Sequence, residues 1–272
     1  MKFHAQGSAI FANLSEQAKR LYPNIQVITL NSKSGATGKE VVFVDENLEA
    51  DQVIAEVINR NLHNLIQKNE GRFEETLLAS GRLLENQKNY FQSDYCFFAD
   101  HAETKVQIPF TGPPDKQVLK KLSLEFSRQV GNSSVVSAAD AVIEELYMNA
   151  IIDAPREAKK KGIQSQGIEC QLYLGKVKDW LQVSCTDPYG SLDIQQFLGR
   201  MSEVYTKGAG QAINLDDSGG AGLGCVILFE ASACLILGVQ PGVQTKVTCL
   251  IPLGISNRKR AEMKKSLHWF EL

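Results

Sequence analysis

The sequence lacks the features that would place the chain in a membrane, outside the cell or on nucleic acid. It has no run of about 18 uncharged apolar residues, and residues 1–7 carry no apolar signal core. With 29 Lys and Arg against 31 Asp and Glu, the formal net charge of −2 gives no global field that would draw the chain onto nucleic acid or anionic lipid. We therefore expect a soluble cytoplasmic protein with no direct nucleic-acid or membrane partner.

Cysteine and histidine chemistry is also sparse. The six cysteines form no CxxC pair and no Cys/His spacing typical of a metal site, and most of them lie in apolar runs. They are typical of reduced core residues. Outside the motifs described below, no nucleophile, histidine base or metal cluster emerges, which argues against a small-molecule enzyme built on such groups.

Hydrophobic periodicity divides the chain into two regions and a tail. Residues 1–100 are predicted to form an N-terminal α/β regulatory or partner domain that ends in a helical connector. Its predicted elements are helix 10–21, a hairpin of strands 25–30 and 40–44, helix 49–67 and helix 72–92. Residues 256–272 form a basic tail that ends in an aromatic cluster, for which we expect docking on the protein's own core.

Residues 101–255 have the pattern of an α/β (α+β sandwich) domain, with helices on one face of a mixed, mostly antiparallel sheet. The predicted helices are 115–130, 137–160 with an interruption at Pro155, and 223–231, and a long glycine-bearing loop precedes the last one. The predicted strands are 105–110, 168–174, 180–185, 233–239 and 245–253.

Three groups of residues in this region could carry chemistry. Glu145, Asn149 and Asp153 recur every four residues and share one helix face, although such a stripe is more often a solvated surface. Asp187 ends a strand, where a carboxylate could accept a hydrogen bond from an exocyclic amine, or simply belong to a surface turn. Four glycines in residues 219–224 precede a helix, whose first amides could cradle phosphates, or form a flexible connection.

In order, spacing and element type, these segments resemble the N, G1 and G2 boxes of the GHKL (histidine kinase-like) ATPase superfamily. The boxes correspond to residues 145–150, 187–190 and 219–224, and the resemblance covers about 104–254. It implies a Bergerat-type ATPase fold, and strand 106–110 followed by a helix is most similar to the bacterial anti-sigma-factor serine kinase branch. No phosphoacceptor histidine box precedes the domain, so a serine kinase fits better than a sensor histidine kinase.

The resemblance implies a role for each matching residue. Asn149 would coordinate Mg²⁺, Glu145 would act as the catalytic general base, and Asp187 would bind the adenine amine with support from Thr245. Residues 195–218 would be a lid, from which Arg200 or Lys207 would reach the γ-phosphate or remain solvated. The remaining nucleotide-binding positions would be Gly190, Gly219, Gly220, Gly222, Leu223 and Gly224.

The implied function is that of a cytoplasmic signalling regulator that uses Mg-ATP for phosphoryl transfer or for nucleotide-controlled binding of a sigma-factor-like or anti-anti-sigma-like protein. Members of this branch often dimerise, which leaves a homodimer open. The sequence departs from the family at G1, where Asp-x-Gly-x-Gly is usual. Tyr189 and Ser191 occupy the two glycine positions. The alternative is therefore a degenerate GHKL-fold interaction module that no longer binds nucleotide, with the Tyr189 ring in the adenine slot.

Overall fold

The computed structural model describes residues 16, 20, 26–29, 40–44, 48–67, 73–165, 167, 169–208 and 223–272, and for 26–29, 40–44, 73–74 and 261 the backbone alone. Of the predicted helix 10–21, only Glu16 and Arg20 are described, and both are helical and exposed. The strands are β1 (Gln26–Thr29), β2 (Glu40–Val44), β3 (Asn64–Gln67), β4 (Thr104–Phe110), β5 (Cys170–Val177), β6 (Trp180–Asp187), β7 (Cys234–Gln240), β8 (Gln244–Pro252) and β9 (Ser266–Glu271).

All of these strands belong to one mixed sheet, in the order β1-β2-β3-β9-β7-β8-β6-β5-β4. Five of the eight pairings between described strands are antiparallel, as expected for the C-terminal region. β1 and β2 pair in parallel, so the predicted hairpin of 25–30 and 40–44 is wrong. A polar linker with glycines suits a turn or a crossover equally well, and parallel neighbours require a crossover. That linker lies outside the described residues.

The helices are α1 (Ala50–Arg60), α2 (Phe73–Glu85), α3 (Gln87–Tyr90), α4 (Lys116–Val130), α5 (Ser133–Met148), α6 (Ala154–Lys160), α7 (Ile194–Lys207), α8 (Leu223–Ala231) and α9 (Asn257–Ala261). The predicted helix 49–67 is wrong beyond Arg60. Asn61 adopts the left-handed conformation with φ 50°, and the N–H groups of Asn61 and Leu62 close the helix on the carbonyls of Ile58 and Val57. Asparagine tolerates this conformation, which ends the helix and starts β3.

Both faces of the sheet are covered. Helices α1, α4, α5, α7 and α8 contribute to the larger apolar cluster on one face, which agrees with the prediction of helices on one face. The opposite face carries a second cluster, in which Leu83, Tyr90 and Phe97 of the segment after β3 pack with Trp180 and Phe270. The connector between the two predicted regions therefore acts as a cover for the sheet.

The C-terminal tail lies inside this architecture. β9 pairs with β3 on one side and with β7 on the other, and Leu267, His268, Trp269 and Phe270 are buried. The expectation that the tail docks on the protein's own core is confirmed. The described strands of the N-terminal region thus continue the sheet of the C-terminal region through the tail. In the described part of the chain, no helix is both long and apolar enough to cross a membrane.

Candidate functional site

The helix that carries Glu145 and Asn149 changes its winding at the site. α5 begins after Asn132, whose side chain accepts a hydrogen bond from Val135 N, and continues into a π-helical turn, Asn149–Asp153. Pro155 lies two residues after Asp153 and lacks an N–H, and its ring would clash with the carbonyl four residues earlier. The wider turn accommodates the proline without ending the helix, so the predicted interruption takes the form of a π turn that redirects Asn149 and Asp153.

Asp187 ends β6 beneath this turn. It lies opposite Thr245 of β8 in the antiparallel register and is 8% exposed. Its Oδ1 accepts a hydrogen bond from Tyr189 N at 3.0 Å. Burial raises the pKa of the Asp187 carboxyl to about 6, although backbone hydrogen bonds oppose the shift. The carboxyl therefore has no counter-charge strong enough to offset its desolvation.

Thr245 supplies a buried polar atom without a partner. The residue is 2% exposed, and its Oγ1 has no hydrogen-bond partner among the described residues. The hydroxyl lies close enough to Asp187 to influence the pKa of that carboxyl, but it does not reach hydrogen-bond geometry with it. Since buried hydroxyls are normally paired, the Thr245 hydroxyl indicates a position where a ligand or an ordered water would bind.

One cavity brings these groups together. It has a volume of about 90 Å³, which gives room for several waters or a small ring. The residues lining it come from α5 and its π turn, the end of β6, α7, α8 and β8. They are Asn149, Asp153, Ala154, Glu157, Asp187, Ser191, Leu192, Asp193, Gln196, Phe197, Arg200, Cys225, Thr245 and Val247. Three of the predicted site residues, Asn149, Asp187 and Thr245, therefore line the same cavity.

Most of the acids around the cavity already have partners. Asp153 Oδ1 lies 2.6 Å from Arg156 Nη2, and Glu157 Oε1 lies 2.8 Å from Lys160 Nζ. Asp193 caps α7 by accepting a hydrogen bond from Gln196 N.

Asp187 and Arg200 remain, and neither has an ion-pair partner within 4.0 Å among the described residues. Within the described part of the chain, the cavity thus offers one carboxyl and one guanidinium without a direct ion pair, although the Arg200 charge also acts on Asp153. This combination suits a ligand with an amine and an anionic group.

Glu145 lies next to this cavity and does not line it. A Cβ built on Gly224 would overlap the Glu145 carboxylate and lie 3.2 Å from its Cδ, so the carboxylate occupies the space that glycine leaves free. Burial raises the pKa of Glu145, and the charges of Glu144 and Asp153 add to the shift. Leu223 and Gly224 form the start of α8, so the described end of the glycine-rich segment meets the predicted general base.

The G1 turn differs from its predicted role. Gly190 has φ +59°, and a Cβ there would overlap the Gln240 carbonyl and approach the amide nitrogens of Gly242 and Val243. It faces the β7–β8 turn and does not line the cavity, so its glycine is required by a close backbone approach. Tyr189 is absent from the cavity lining among the described residues. The hypothesis that its ring fills the cavity is therefore not supported.

Some of the remaining predicted residues belong to the described part of the chain and others do not. Gly219, Gly220 and Gly222 lie outside the described residues, as does the second half of the predicted lid. The first half, predicted as a loop, is α7, which buries Phe197, Leu198, Met201 and Val204. Arg200 lines the cavity, whereas Lys207 lies 3.6 Å from Glu203 on the same helix.

Sequence reasoning predicted α8 but missed α7 as a helix, and it missed several of the side chains that these two helices contribute to the cavity. Phe197, Gln196 and Cys225 line the cavity and were not proposed as site residues. The signal for α7 was present, because Asp193 is a favourable N-cap and apolar residues follow it with helical spacing. A scan against models of known protein families gives no match, and a comparison with curated proteins gives no similar sequence.

Proposed function

We propose that this protein is a nucleotide-binding regulator of the GHKL type, with a Bergerat-like fold, and that the cavity between the π turn and the end of β6 receives the adenine ring of Mg-ATP. The observation that carries the proposal is the buried pair of Asp187 and Thr245. Among the described residues, a buried carboxylate without an ion-pair partner lies opposite a buried hydroxyl that acts on it but completes no hydrogen bond, in one cavity with Asn149. An exocyclic amine and a ring nitrogen would supply the missing donor and acceptor.

The charges support a ligand of this class. Asp187 would accept from the amine, while Arg200 on α7 lies in the same cavity and would face an anionic group. An apolar ligand would leave the buried Asp187 carboxylate without a partner, which is costly. The two groups thus favour a ligand with an amino-bearing ring at one end and phosphate at the other.

Asn149 fits the role of a magnesium ligand. The residue lines the cavity, and its carboxamide oxygen is a hard donor of the kind that Mg²⁺ requires. Within the described residues, no group of three or more His, Cys, Asp or Glu could hold a metal. Magnesium in proteins usually keeps several waters and binds through one or two side chains and substrate phosphates. A single Asn149 is therefore an adequate protein ligand for the ion that accompanies a triphosphate.

Glu145 is our candidate general base for phosphoryl transfer to a protein serine or to water. It lies one helical turn before Asn149, contacts the start of α8 and has a raised pKa, which favours proton uptake nearer neutral pH. Asp187 and Thr245 would bind the base, and Glu145 would accept the proton of the attacking hydroxyl. Substituting Glu145→Gln is expected to abolish turnover and leave nucleotide affinity within a few-fold.

The partner would be a cytoplasmic protein, of the sigma-factor-like or anti-anti-sigma-like kind that the resemblance implies. In this proposal the nucleotide state controls the partner's affinity. The described structure supports a link between the two regions, because α1 packs on α7, and Gln195 Nε2 of α7 donates to Asn61 Oδ1 at 3.3 Å. A partner that binds α1 of the N-terminal region would thereby bind an element that packs on the helix carrying Arg200.

Calorimetric titration of Mg-ATP and Mg-ADP into the full chain tests the proposal. The wild type is expected to bind with a Kd in the micromolar range, and Asp187→Asn to bind at least about tenfold more weakly, since one charged hydrogen bond is lost. Asp115→Asn is the matched control. Asp115 also accepts backbone hydrogen bonds, from Thr111 N at 2.7 Å and Gly112 N at 3.3 Å, but lies outside the cavity.

Undetectable binding by the wild type would exclude the nucleotide-binding function. It would instead favour the second candidate, an interaction module that retains the scaffold. The observation in favour of that candidate is Ser191, which stands at a glycine position of the resembling family and lines the cavity. Equal affinities of wild type and Asp187→Asn would place the nucleotide at another site.

A further inference from the structure

Ser191 ties the two walls of the cavity together. It is 1% exposed, and its Oγ donates a hydrogen bond to the carbonyl of Ala154 at 2.9 Å. Its own carbonyl accepts a hydrogen bond from Lys161 Nζ at 2.9 Å. One residue of the G1 turn is thus bound to both ends of α6, which spans 154–160.

The two hydrogen bonds of Ser191 connect elements that form the walls of the cavity. Ala154 follows the π turn directly and is the first residue of α6, so the hydrogen bond from Ser191 holds the chain where the π turn passes into α6. The π turn carries Asn149 and Asp153, and Ser191 lies four residues after Asp187. A hydrogen bond from Ser191 to Ala154 therefore sets the distance between the helix wall and the strand-end wall of the cavity. Among the described residues that line the cavity, no other forms a hydrogen bond between these two walls.

A glycine at this position could not make the Oγ contact. It would also increase the conformational freedom that the turn must lose on folding. The Ser191 hydroxyl holds this short turn in one conformation through a buried hydrogen bond, for which water does not compete. The departure from the family pattern thus adds a fixed contact at the place where a flexible residue would be expected.

We propose that Ser191 is a positioning residue that preorganises the cavity for its ligand, by holding the Asn149 helix against the Asp187 strand end. The inference rests on the proposed nucleotide-binding function. It predicts that restoring the family glycine, by Ser191→Gly, weakens nucleotide binding in this protein. The substitution restores one of the two glycines of the usual motif, while Tyr189 still occupies the other position, and would otherwise be expected to be neutral or favourable.

The test compares affinity with the local mobility of the full chain. Binding of a fluorescent ADP derivative with Mg²⁺ is measured for wild type, Ser191→Gly, Ser191→Ala and Lys161→Met. Hydrogen exchange of the amides of α6 is measured without nucleotide. Ser232→Ala is the matched control, because Ser232 is also 1% exposed and donates through Oγ to a helix carbonyl, that of Leu228 at 2.7 Å, away from the cavity.

We expect Ser191→Gly and Ser191→Ala to bind about tenfold more weakly than wild type and to exchange the α6 amides faster. Lys161 is exposed, so Lys161→Met should fold and show a smaller loss of affinity, of about threefold. Ser232→Ala should lose stability without losing affinity, which separates positioning from general destabilisation.

If the wild type binds nucleotide and Ser191→Gly, Ser191→Ala and Lys161→Met all bind it with the same affinity, the role of Ser191 is overturned and the proposed function remains intact. Faster exchange together with unchanged affinity would likewise assign Ser191 a structural role only. A wild type that fails to bind would remove the proposed function and this inference with it.

Discussion

Burial of the ionised Asp187 carboxyl lowers the stability of the folded protein. The pKa of its carboxyl is about 6 in the folded protein, above the value of 3.8 that an exposed aspartate has. As the pH rises from about 4 to above 6, the unfolded chain loses this proton more readily than the folded one, so the carboxyl destabilises the fold near neutral pH. A buried acid without a counter-charge is typical of a functional position.

Substituting Asp187→Asn should therefore stabilise the protein while it weakens nucleotide binding. At pH 7.5 we expect a gain in the free energy of unfolding of up to about 3 kcal/mol, from a shift of about two pKa units. At pH 3.5 the gain should vanish, since the carboxyl is then protonated in both states. Urea unfolding at the two pH values measures this gain in the free energy of unfolding. A loss of stability at pH 7.5 would show that the carboxylate has a structural partner.

Lys246 lies on the other face of the sheet, and its contribution to stability changes with pH in the opposite direction from that of Asp187. It is 1% exposed, its Nζ donates to the Gln92 carbonyl at 2.6 Å, and the ammonium lies 5.2 Å from the centre of the Tyr90 ring. Burial lowers the pKa of this lysine to about 7. The charged form is therefore destabilised in the folded state, and the cost is fully present below pH 7.

We expect the stability of the wild type to rise relative to Lys246→Met as the pH increases from 7 towards 10.5. The difference should grow by up to about 1.4 kcal/mol per pH unit, because the unfolded lysine binds a proton that the folded one does not. Chemical denaturation of both proteins between pH 7 and 9.5 measures the trend. A difference that does not change with pH would mean that Lys246 keeps its charge when folded.

At the scale of elements, the strong periodicities predicted the structure well. Strands β4 to β8 and helices α4 and α8 lie within a few residues of their predicted bounds, because long apolar patterns have few alternatives. β3 was missed because its four residues continue the pattern of α1, and only the left-handed Asn61 separates the two. A single-residue conformation of this kind has a weak sequence signal.

The sequence predicted those site residues whose side-chain type and whose position along the chain both match a motif. Asn149, Asp187 and Thr245 were named from motif spacing, and they share a cavity because β6 and β8 pair in register at their ends. The role of Ser191 was not predictable, since its partner, the carbonyl of Ala154, is defined only once the π turn forms. The pattern of side chains along a sequence does not indicate which backbone carbonyls will accept hydrogen bonds.

At the scale of the whole molecule, the tail is a structural centre of the sheet. β9 lies between β3 and β7, and it buries Leu267, Trp269 and Phe270. The predicted boundaries near residues 100 and 255 therefore fall between segments of one continuous sheet. A chain that ends at residue 255 would expose the edges of two interior strands and a large apolar surface.

Deleting residues 256–272 is accordingly expected to abolish cooperative unfolding and to cause aggregation. Burial of the three aromatic and aliphatic side chains alone contributes about 5–8 kcal/mol, comparable to the net stability of a typical domain. Circular dichroism on heating and size-exclusion chromatography check this expectation. A truncated protein that unfolds cooperatively with wild-type Tm would show that the tail is an accessory.

The most direct test of the proposed nucleotide site is an experimental structure of the full chain with Mg²⁺ and a non-hydrolysable ATP analogue. We predict the adenine amine within 3.2 Å, roughly the upper limit of a hydrogen bond, of the Asp187 carboxylate. The Thr245 hydroxyl should then have a partner, and Asn149 should coordinate the metal. An analogue bound on another surface, or a cavity that stays closed at saturating concentration, would contradict the proposal.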